Sequence, residues 1–305
     1  MSGAEFVPLS LPPILIGICV AVACALPGNF LLLRQQALIG DAISHVILPG
    51  IVVAFLLTGV VTTGPMLLGA AAAAMLAVAA IEFIRRMGRI ESGAAMGVIF
   101  TAMFAGGVFL LEQSDTSSVN LDVEHALFGN LESLIWLDAT GWQSLLDPQA
   151  LRGLPAELQR MAGALALVAL AICVFWRPLK ITTFDEDFAR TIGLPVTAIG
   201  LGLVMLSAIA AVAAFDAVGS IIVIAMFVCP PAAARMMTDR LEHQLLWSAA
   251  FAATSAVLGY VLAGHGPIWL GFSATVSAAG MIATVSGLIL AVAASFGPCR
   301  HRASA

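Results

Sequence analysis

The sequence predicts an all-α membrane protein, a polytopic transmembrane helical bundle of about nine spans, with eight to ten as the range. Apolar residues make up 61% of its 305 residues, and charged residues only 10%. A water-soluble fold needs more charge than this to cover its surface. The apolar residues also form long blocks, and about 20 apolar residues in a helix cross a bilayer core. Barrel strands are excluded because they alternate apolar and polar residues, whereas these blocks are apolar on every face.

The predicted spans follow one another along the chain and leave one long polar connection. This connection, 113–158, is acidic, and its middle, HALFGNLESLIWL, is apolar enough for a short re-entrant or interfacial helix. Residues 1–305 are therefore expected to form a single transmembrane domain, with no soluble part large enough to fold separately. The expected spans are 12–33, 39–60, 64–86, 92–112, 160–177, 196–214, 219–237, 243–263 and 272–297.

The placement of arginine and lysine predicts the orientation of these spans. Cations follow spans one, three, five, seven and nine, whereas Arg152 and Arg160 are the exceptions on the opposite side. Cytoplasmic loops of membrane proteins carry the excess of Lys and Arg. The N-terminus is therefore expected outside and the C-terminus in the cytoplasm, in a multi-pass protein of the plasma membrane, here a bacterial inner membrane.

Candidate metal ligands lie at the start of the second span, in the stretch RQQALIGDAISHVILPG at 34–50. Asp41 and His45 are four residues apart, so both side chains project from one face of a helix. A carboxylate with an imidazole suits Zn²⁺, Mn²⁺ or Fe²⁺. Ser44 lies on nearly the same face and either adds a hydroxyl or orients the histidine. Alternatively, Asp41 caps the entry to the span and His45 donates to a carbonyl, but ionisable residues within membrane helices favour a pathway role.

Prolines are expected to interrupt two of the spans. Pro49 leaves the His45 carbonyl without its usual helical N–H partner. Such a break is tolerated in membranes where the freed group faces a cavity or a neighbouring helix. Pro230 and Pro231 are expected to kink the seventh span near its cytoplasmic end. Kinks of this kind suit a gate, and they also occur as plain packing features.

Asp216 lies within a long apolar run, 196–237, that exceeds the length of one span. Asp216 and Gly219 are therefore expected to mark the external turn of a helical hairpin. A solvated turn is the favoured interpretation for Asp216, and a role in a transport pathway is the alternative.

The segment ITTFDEDFARTIGLP, 181–195, is a charged amphipathic insertion between two spans on the predicted cytoplasmic side. Phe184, Phe188 and Ile192 recur every four residues and form an apolar stripe. A short surface helix of this kind can dock in a groove of a cytoplasmic partner. The alternative is an interfacial helix that lies on the membrane. The residues assigned to such a coupling segment are Phe184, Asp185, Asp187, Phe188, Ala189 and Gly193.

Several enzyme classes lack their signatures in this sequence. A P-loop needs Gly-Lys-Ser/Thr, and the single lysine, Lys180, stands in RPLKI. The HExxH pattern of zinc proteases and the GxSxG pattern of serine hydrolases are absent. The five cysteines have no metal-finger spacing. The chain is therefore expected to be a transport subunit rather than an enzyme, with ATP hydrolysis on a separate chain, the lipid bilayer as its surroundings and no nucleic-acid partner.

Four stretches together resemble the manganese/zinc/iron family of ABC importer permeases, the ABC-3 family. They are LLLRQQALIGDAISHVILPG, LFGN at 127–130, FDEDFARTIGLP, and AVGSIIVIAMFVCPPAAARMMTDRL at 217–241. They occur in the order of the family and cover most of the chain from about 28 to 290. The first stretch is the most specific, whereas the apolar remainder would match many membrane proteins.

This resemblance implies the partners and the roles of the candidate residues. It implies two permease subunits, as a homodimer or with a related chain, two copies of a separate ATPase, and an extracytoplasmic metal-binding protein. Asp41 and His45 would be ligands along the route, and Phe184 to Gly193 would transmit the motion of the ATPase. No cofactor is expected to be bound permanently, because the metal ion, Zn²⁺ or Mn²⁺, is the substrate.

Two other functions stay open from the sequence. An ATPase-independent secondary metal transporter would also place a carboxylate and a histidine in a helix, but it would not need a docking segment. An ABC permease for a metal chelate such as haem or a siderophore would share the architecture, but it should lack a pair of ligands for a first-row metal in its route.

Overall fold

The computed structural model is all helix and connection, without a strand, over the residues that it describes, and this confirms the predicted fold class. Long apolar helices account for most of that part of the chain. The described residues are 3–59, 63–88, 92–113, 129, 131–139, 141–145, 147, 150, 153–269 and 276–299.

The helices follow the order expected from the apolar blocks. Their bounds are α1 Gly3–Leu9, α2 Leu11–Leu33, α3 Leu38–Thr58, α4 Thr63–Gly88, α5 Ser92–Gln113, α6 Ala156–Val174, α7 Trp176–Phe184, α8 Glu186–Thr191, α9 Val196–Met237, α10 Leu241–Trp269 and α11 Ala278–Phe296.

Eight stretches of these helices are long and apolar enough to cross a membrane. One joins α1 to α2, two lie in α9, and one lies in each of α4, α5, α6, α10 and α11. In α3, the corresponding apolar stretch within the described residues is shorter, Pro49–Thr58. Eight of the nine predicted spans are therefore present at full length, and the chain is a multi-pass membrane protein.

One end of the bundle carries α7 and α8 and is called the α8 end below. Lys180 of α7 contacts Glu242 at the start of α10, with 2.6 Å between Nζ and Oε1. The backbone N–H of Cys299 donates to the Met236 carbonyl at 3.0 Å. The beginning of α10 and the ends of α9 and α11 therefore lie at this same end.

The opposite end is covered by the described residues among 131–150 and is called the cap end. In its described residues this cap contains two short 3-10 turns, Leu131–Ser133 and Trp142–Leu145. Trp136 is buried; its backbone N–H donates to the Pro8 carbonyl and its indole N–H to the Ala150 carbonyl, both at 2.9 Å. The re-entrant or interfacial helix predicted for 125–137 lies partly outside the described residues.

The long helix α9 is interrupted at Gly219, where φ is 72° and ψ is 178°. A position with positive φ favours glycine because a β-carbon would clash with the backbone. Gly200 in the first half of α9 and Phe227 in the second half both contact the last turns of α2. Both halves therefore reach the α8 end, so the chain reverses near Gly219, as the hairpin prediction required.

The second half of α9 packs closely on α2 where prolines free a carbonyl. Pro231 has no N–H to donate to the Phe227 carbonyl, four residues earlier. A β-carbon at Gly28 of α2 would lie 2.5 Å from that oxygen and 3.1 Å from the Pro231 side chain. Glycine therefore lets the α2 backbone approach this oxygen, and the backbone stays helical through Pro230 and Pro231.

Candidate functional site

The predicted ligand pair lies on one face of α3, in its first turns. The Nε2 atom of His45 is 3.3 Å from the Oδ1 atom of Asp41. About a third of each side chain is exposed, 32% for His45 and 33% for Asp41. A carboxylate that pairs with an imidazole and is still accessible can accept a metal ion from outside the subunit.

Two aromatic rings of α5 hold the imidazole of His45. The Phe100 ring is stacked on it with centroids 5.5 Å apart, and the Phe104 ring meets it edge to face at 5.7 Å. Stacked and edge-to-face rings at such distances attract one another and limit rotation. The apolar rings therefore fix the plane of His45 and leave Asp41 as its polar neighbour.

Small residues and a proline bring α3, α4 and α5 into close contact in the part of α3 that follows Asp41 and His45. The backbones of Gly50 and Gly69 approach so closely that neither position has room for a β-carbon. A β-carbon at Gly107 of α5 would lie 2.7 Å from the Pro49 side chain. Small residues allow such backbone approach in membranes. Pro49 thus serves as a packing surface that fixes α3 against α5.

The described part of the chain brings two candidate ligands together, Asp41 and His45. Among the described residues, no group of three or more His, Cys, Asp or Glu side chains converges on one point. A protein zinc site usually has at least three protein ligands. The Ser44 side chain lies outside the described part of the structure, as does that of Asp216. The candidate metal site of this chain therefore consists, in its described part, of Asp41 and His45.

The predicted coupling segment, 181–195, runs from the end of α7 through α8, and these two helices meet at Asp185. The Asp185 carboxylate accepts a hydrogen bond from the Phe188 N–H at 2.8 Å, which caps α8. Gly193 has φ 82°, and the Leu194 N–H donates to the Ala189 carbonyl, which ends α8. Sequence reasoning placed Asp185 on a polar face, and the structure gives it this capping role.

Three apolar side chains of this segment face outward at the α8 end. The exposed fractions are 56% for Phe184, 52% for Phe188 and 49% for Ile192, whereas Ala189 is buried. The predicted stripe is thus present as a surface that is about half exposed in the described part of the chain. The Asp187 side chain is 95% exposed and has a 3.6 Å contact with Arg190.

Arg34 joins the coupling segment to the turn that leads into α3. Its Nε donates to Thr183 at 3.1 Å, and one terminal nitrogen donates to Thr182 at 2.6 Å. Burial lowers the pKa of Arg34 and the nearby Glu186 carboxylate raises it, and the guanidinium remains charged. Arg34 ends α2, and α3 with Asp41 begins four residues later.

Three contributions were missed by sequence reasoning. Arg34 was counted as a topological charge, and nothing local indicates its contact with Thr182. Phe100 and Phe104 stand four residues apart on α5 and so share a face, but many such pairs occur in an apolar chain. Gly129 of the LFGN stretch has φ 66° and lies directly against the backbone at Gly219. Gly129 therefore supports the α9 turn.

The comparisons with known proteins agree with this geometry. The model of the family described as "ABC 3 transport family" matches residues 8–139 and 148–297. The chain is 38% identical over 282 residues to the manganese transport system membrane protein MntD of Bacillus subtilis, covering 92% of this chain and 90% of the relative. It is 34% identical to the zinc transport system membrane protein TroD of Treponema pallidum, covering 95% and 74%.

A solved structure has the same architecture. PsaBC from Streptococcus pneumoniae, in complex with Fab, superposes with a TM-score of 0.74 at 27% identity. The similarity covers 95% of this chain and 92% of that chain. The arrangement of the helices therefore matches that of an experimentally determined protein over nearly its whole length.

Proposed function

The chain belongs to the ABC 3 transport family, and from this premise we propose that it is the membrane-spanning permease subunit of an ATP-driven importer for a divalent transition metal. Its similarity to a manganese and a zinc transport system membrane protein supports a metal cargo. The observation that carries the proposal is the accessible pair of Asp41 and His45 within a membrane bundle. Ionisable groups at such positions usually lie on a pathway.

In this proposal a second permease subunit completes the ligand set that Asp41 and His45 begin. In a dimer of permeases, Asp41 and His45 from each subunit would supply four ligands, enough for tetrahedral Zn²⁺. Mn²⁺ prefers more oxygen ligands, which Ser44 or water would add. Zn²⁺, Mn²⁺ and Fe²⁺ all suit these ligand types.

Phe100 and Phe104 position His45 for this role. Transport needs binding that is strong enough to capture the ion and weak enough to release it. The two rings restrict the imidazole without contributing a ligand. The rings thus hold His45 in one orientation. Because they add no ligand, each subunit would still supply two ligands, Asp41 and His45.

The energy for transport is proposed to come from a separate ATPase, in two copies, that docks on the exposed stripe of Phe184, Phe188 and Ile192. Movement of α7 and α8 would pull on Arg34 through Thr182 and Thr183. Arg34 immediately precedes the turn into α3, so the movement reaches the ligand pair. An extracytoplasmic binding protein would deliver the metal at the cap end, with the α8 end in the cytoplasm.

The two alternative functions differ from this proposal in their energy source and cargo. A secondary metal transporter would work without an ATPase, and the family of the chain favours the ATP-driven route. A permease for haem or a siderophore would not depend on a carboxylate–imidazole pair. No feature of the described residues favours a chelate over a bare ion.

Metal uptake by single-residue variants tests the proposal. Asp41→Ala and His45→Ala, reconstituted in vesicles with the ATPase and the binding protein, should each lower uptake of radioactive manganese or zinc at least about 100-fold, because loss of a direct ligand should cost no less than loss of an outer-shell partner. His243→Ala is the matched control, because His243 is exposed at the start of α10. Its uptake should equal that of the wild type.

Binding of the ATPase is measured in the same preparations. It should be unchanged in Asp41→Ala and His45→Ala, since the coupling segment lies on other helices. Wild-type metal uptake by both variants would refute the metal route. Uptake of a haem or siderophore chelate that both variants retain would instead identify a chelate permease.

A further inference from the structure

A cavity of about 480 Å³ lies between α3, α4 and α9 at the α8 end of the bundle. Its apolar walls include Ile39 and Ile43 of α3, Val78 of α4, and Leu201 and Val204 of α9. The cavity belongs to a single chain and is present without any contribution from a partner.

Charged residues line the cavity at the α8 end. Arg34, Arg85 and Arg190 line it, and Glu186 is the acidic residue among the described lining residues. Glu186 already contacts Arg190, with 3.3 Å between Oε2 and the guanidinium. Asp187 also contacts Arg190, at 3.6 Å, although it does not line the cavity. Three arginines against these two carboxylates leave a net charge of +1 at this opening, so it should attract an anion.

The apolar part of the cavity extends well below these charges. Ala77 and Val78 line the cavity seven and eight residues before Arg85 on the same helix. At 1.5 Å per residue, this is about 10 to 12 Å deeper in the membrane. Val204 lies eight residues into α9, at a similar distance from Val196. The cavity therefore joins a cationic opening at the membrane boundary to an apolar pocket at hydrocarbon depth.

This cavity is distinct from the proposed metal route. Ile39 and Ile43 are each two residues from Asp41 along α3, which places them about 160° away around the helix. Asp41 and His45 do not line the cavity. The metal pair contacts Phe100 and Phe104 of α5, whereas the cavity is lined mainly by α3, α4 and α9, with Met96 as its contribution from α5.

We propose that this cavity binds one anionic phospholipid, with its phosphate against Arg34, Arg85 and Arg190 and an acyl chain between α3, α4 and α9. Basic pockets between transmembrane helices bind anionic lipid head groups in this way. A phospholipid carries both the negative charge and the apolar chain that the two parts of the cavity require. Because Arg190 lies in α8, the lipid would also link the coupling segment to the bilayer.

Other occupants fit less well. A protein segment would bring backbone N–H and C=O groups to hydrocarbon depth, where unpaired groups are costly. A soluble anion such as phosphate would satisfy the arginines but leave the apolar part unfilled. The combination of charge and depth therefore selects a lipid.

Native mass spectrometry of the purified full-length chain in neutral detergent tests this site. The wild type should retain phosphatidylglycerol in preference to phosphatidylcholine, and millimolar inorganic phosphate should not displace it. Both comparisons use only the wild-type protein, so their outcome does not depend on whether a substituted protein folds. Equal retention of the two lipids, or displacement by phosphate, would overturn the proposal.

Two pairs of variants test the two parts of the site. Arg85→Gln should weaken phosphatidylglycerol binding about fivefold, the effect expected for one cation at a membrane surface, whereas Arg177→Gln, exposed at the same end, should not. Val78→Trp fills the apolar part and should also weaken binding. Leu76→Trp is its control, because Leu76 is 63% exposed on the same helix. Full binding by Val78→Trp would show that no acyl chain occupies the cavity.

Discussion

Gly28 shows how one residue is required by a contact far away in the sequence. The Phe227 carbonyl lacks a helical donor because residue 231 is proline, and a β-carbon at Gly28 would lie 2.5 Å from its oxygen. A Cα–H group beside a carbonyl oxygen makes a weak favourable contact. The prolines expected as a kink therefore shape the surface on which α2 packs, and a gating role for them remains a prediction.

Replacing Gly28 with alanine should destabilise the protein by about 1 to 3 kcal/mol, as expected when a methyl group is forced into a packed interface. Gly163→Ala, in α6, is the matched control, because a β-carbon there meets nothing within 4 Å. That substitution should be neutral or should stabilise by about 0.5 to 1 kcal/mol through helix propensity. Thermal unfolding in detergent measures both changes. Equal melting temperatures for the two variants would contradict the close contact.

At the scale of elements, the predicted coupling segment combines well-defined helix ends with a partly exposed apolar surface. The Asp185 cap and the reversal at Gly193 define both ends of α8 without help from any other chain. The apolar trio of Phe184, Phe188 and Ile192 nevertheless stays about half exposed. Exposed apolar side chains on a capped helix are typical of a docking surface.

Phe188→Asp should weaken binding of the ATPase about 30-fold, the effect of losing an anchor residue in an interface. Phe188→Leu keeps the surface apolar and should retain most of the affinity. The dissociation constant in detergent measures the difference, and metal uptake should fall together with binding. If Phe188→Asp bound the ATPase normally, the stripe would instead face the membrane as an interfacial helix.

At the scale of the whole molecule, Arg34 connects the two candidate sites. The threonines that accept its hydrogen bonds lie about 150 positions further along the chain, in α7. On its other side, Arg34 leads directly into the turn before α3 and the ligand pair. The proposed docking surface and the proposed ligand pair are thereby linked through one half-buried side chain.

The double substitution Thr182→Val, Thr183→Val removes this link and leaves both candidate sites intact. Metal uptake should fall about tenfold, within the range of coupling free energies between two sites, while binding of the ATPase and hydrolysis of ATP continue. Thr191→Val is the control, because Thr191 is exposed on α8 and bonds within its own helix. Unchanged uptake, or loss of hydrolysis together with uptake, would show that Arg34 does not transmit the movement.

The sequence alone predicted the features that depend on composition and helical period. Long apolar blocks dictate membrane helices because an apolar surface must leave water. The spacing of Asp41 and His45 places them on one face of a helix. The recurrence of Phe184, Phe188 and Ile192 every four residues predicts the exposed stripe. The reversal at Gly219 followed from a run too long for one span.

The tertiary structure decided what surrounds each of these features. Three contacts were not predictable from the sequence. Phe100 and Phe104 hold His45, Arg34 reaches Thr182, and Gly129 supports the turn of α9. In a sequence that is apolar on almost every face, helical period does not indicate which face meets which neighbour. Those contacts depend on close packing between distant segments, and the small residues and prolines that permit it act only once the helices are brought together.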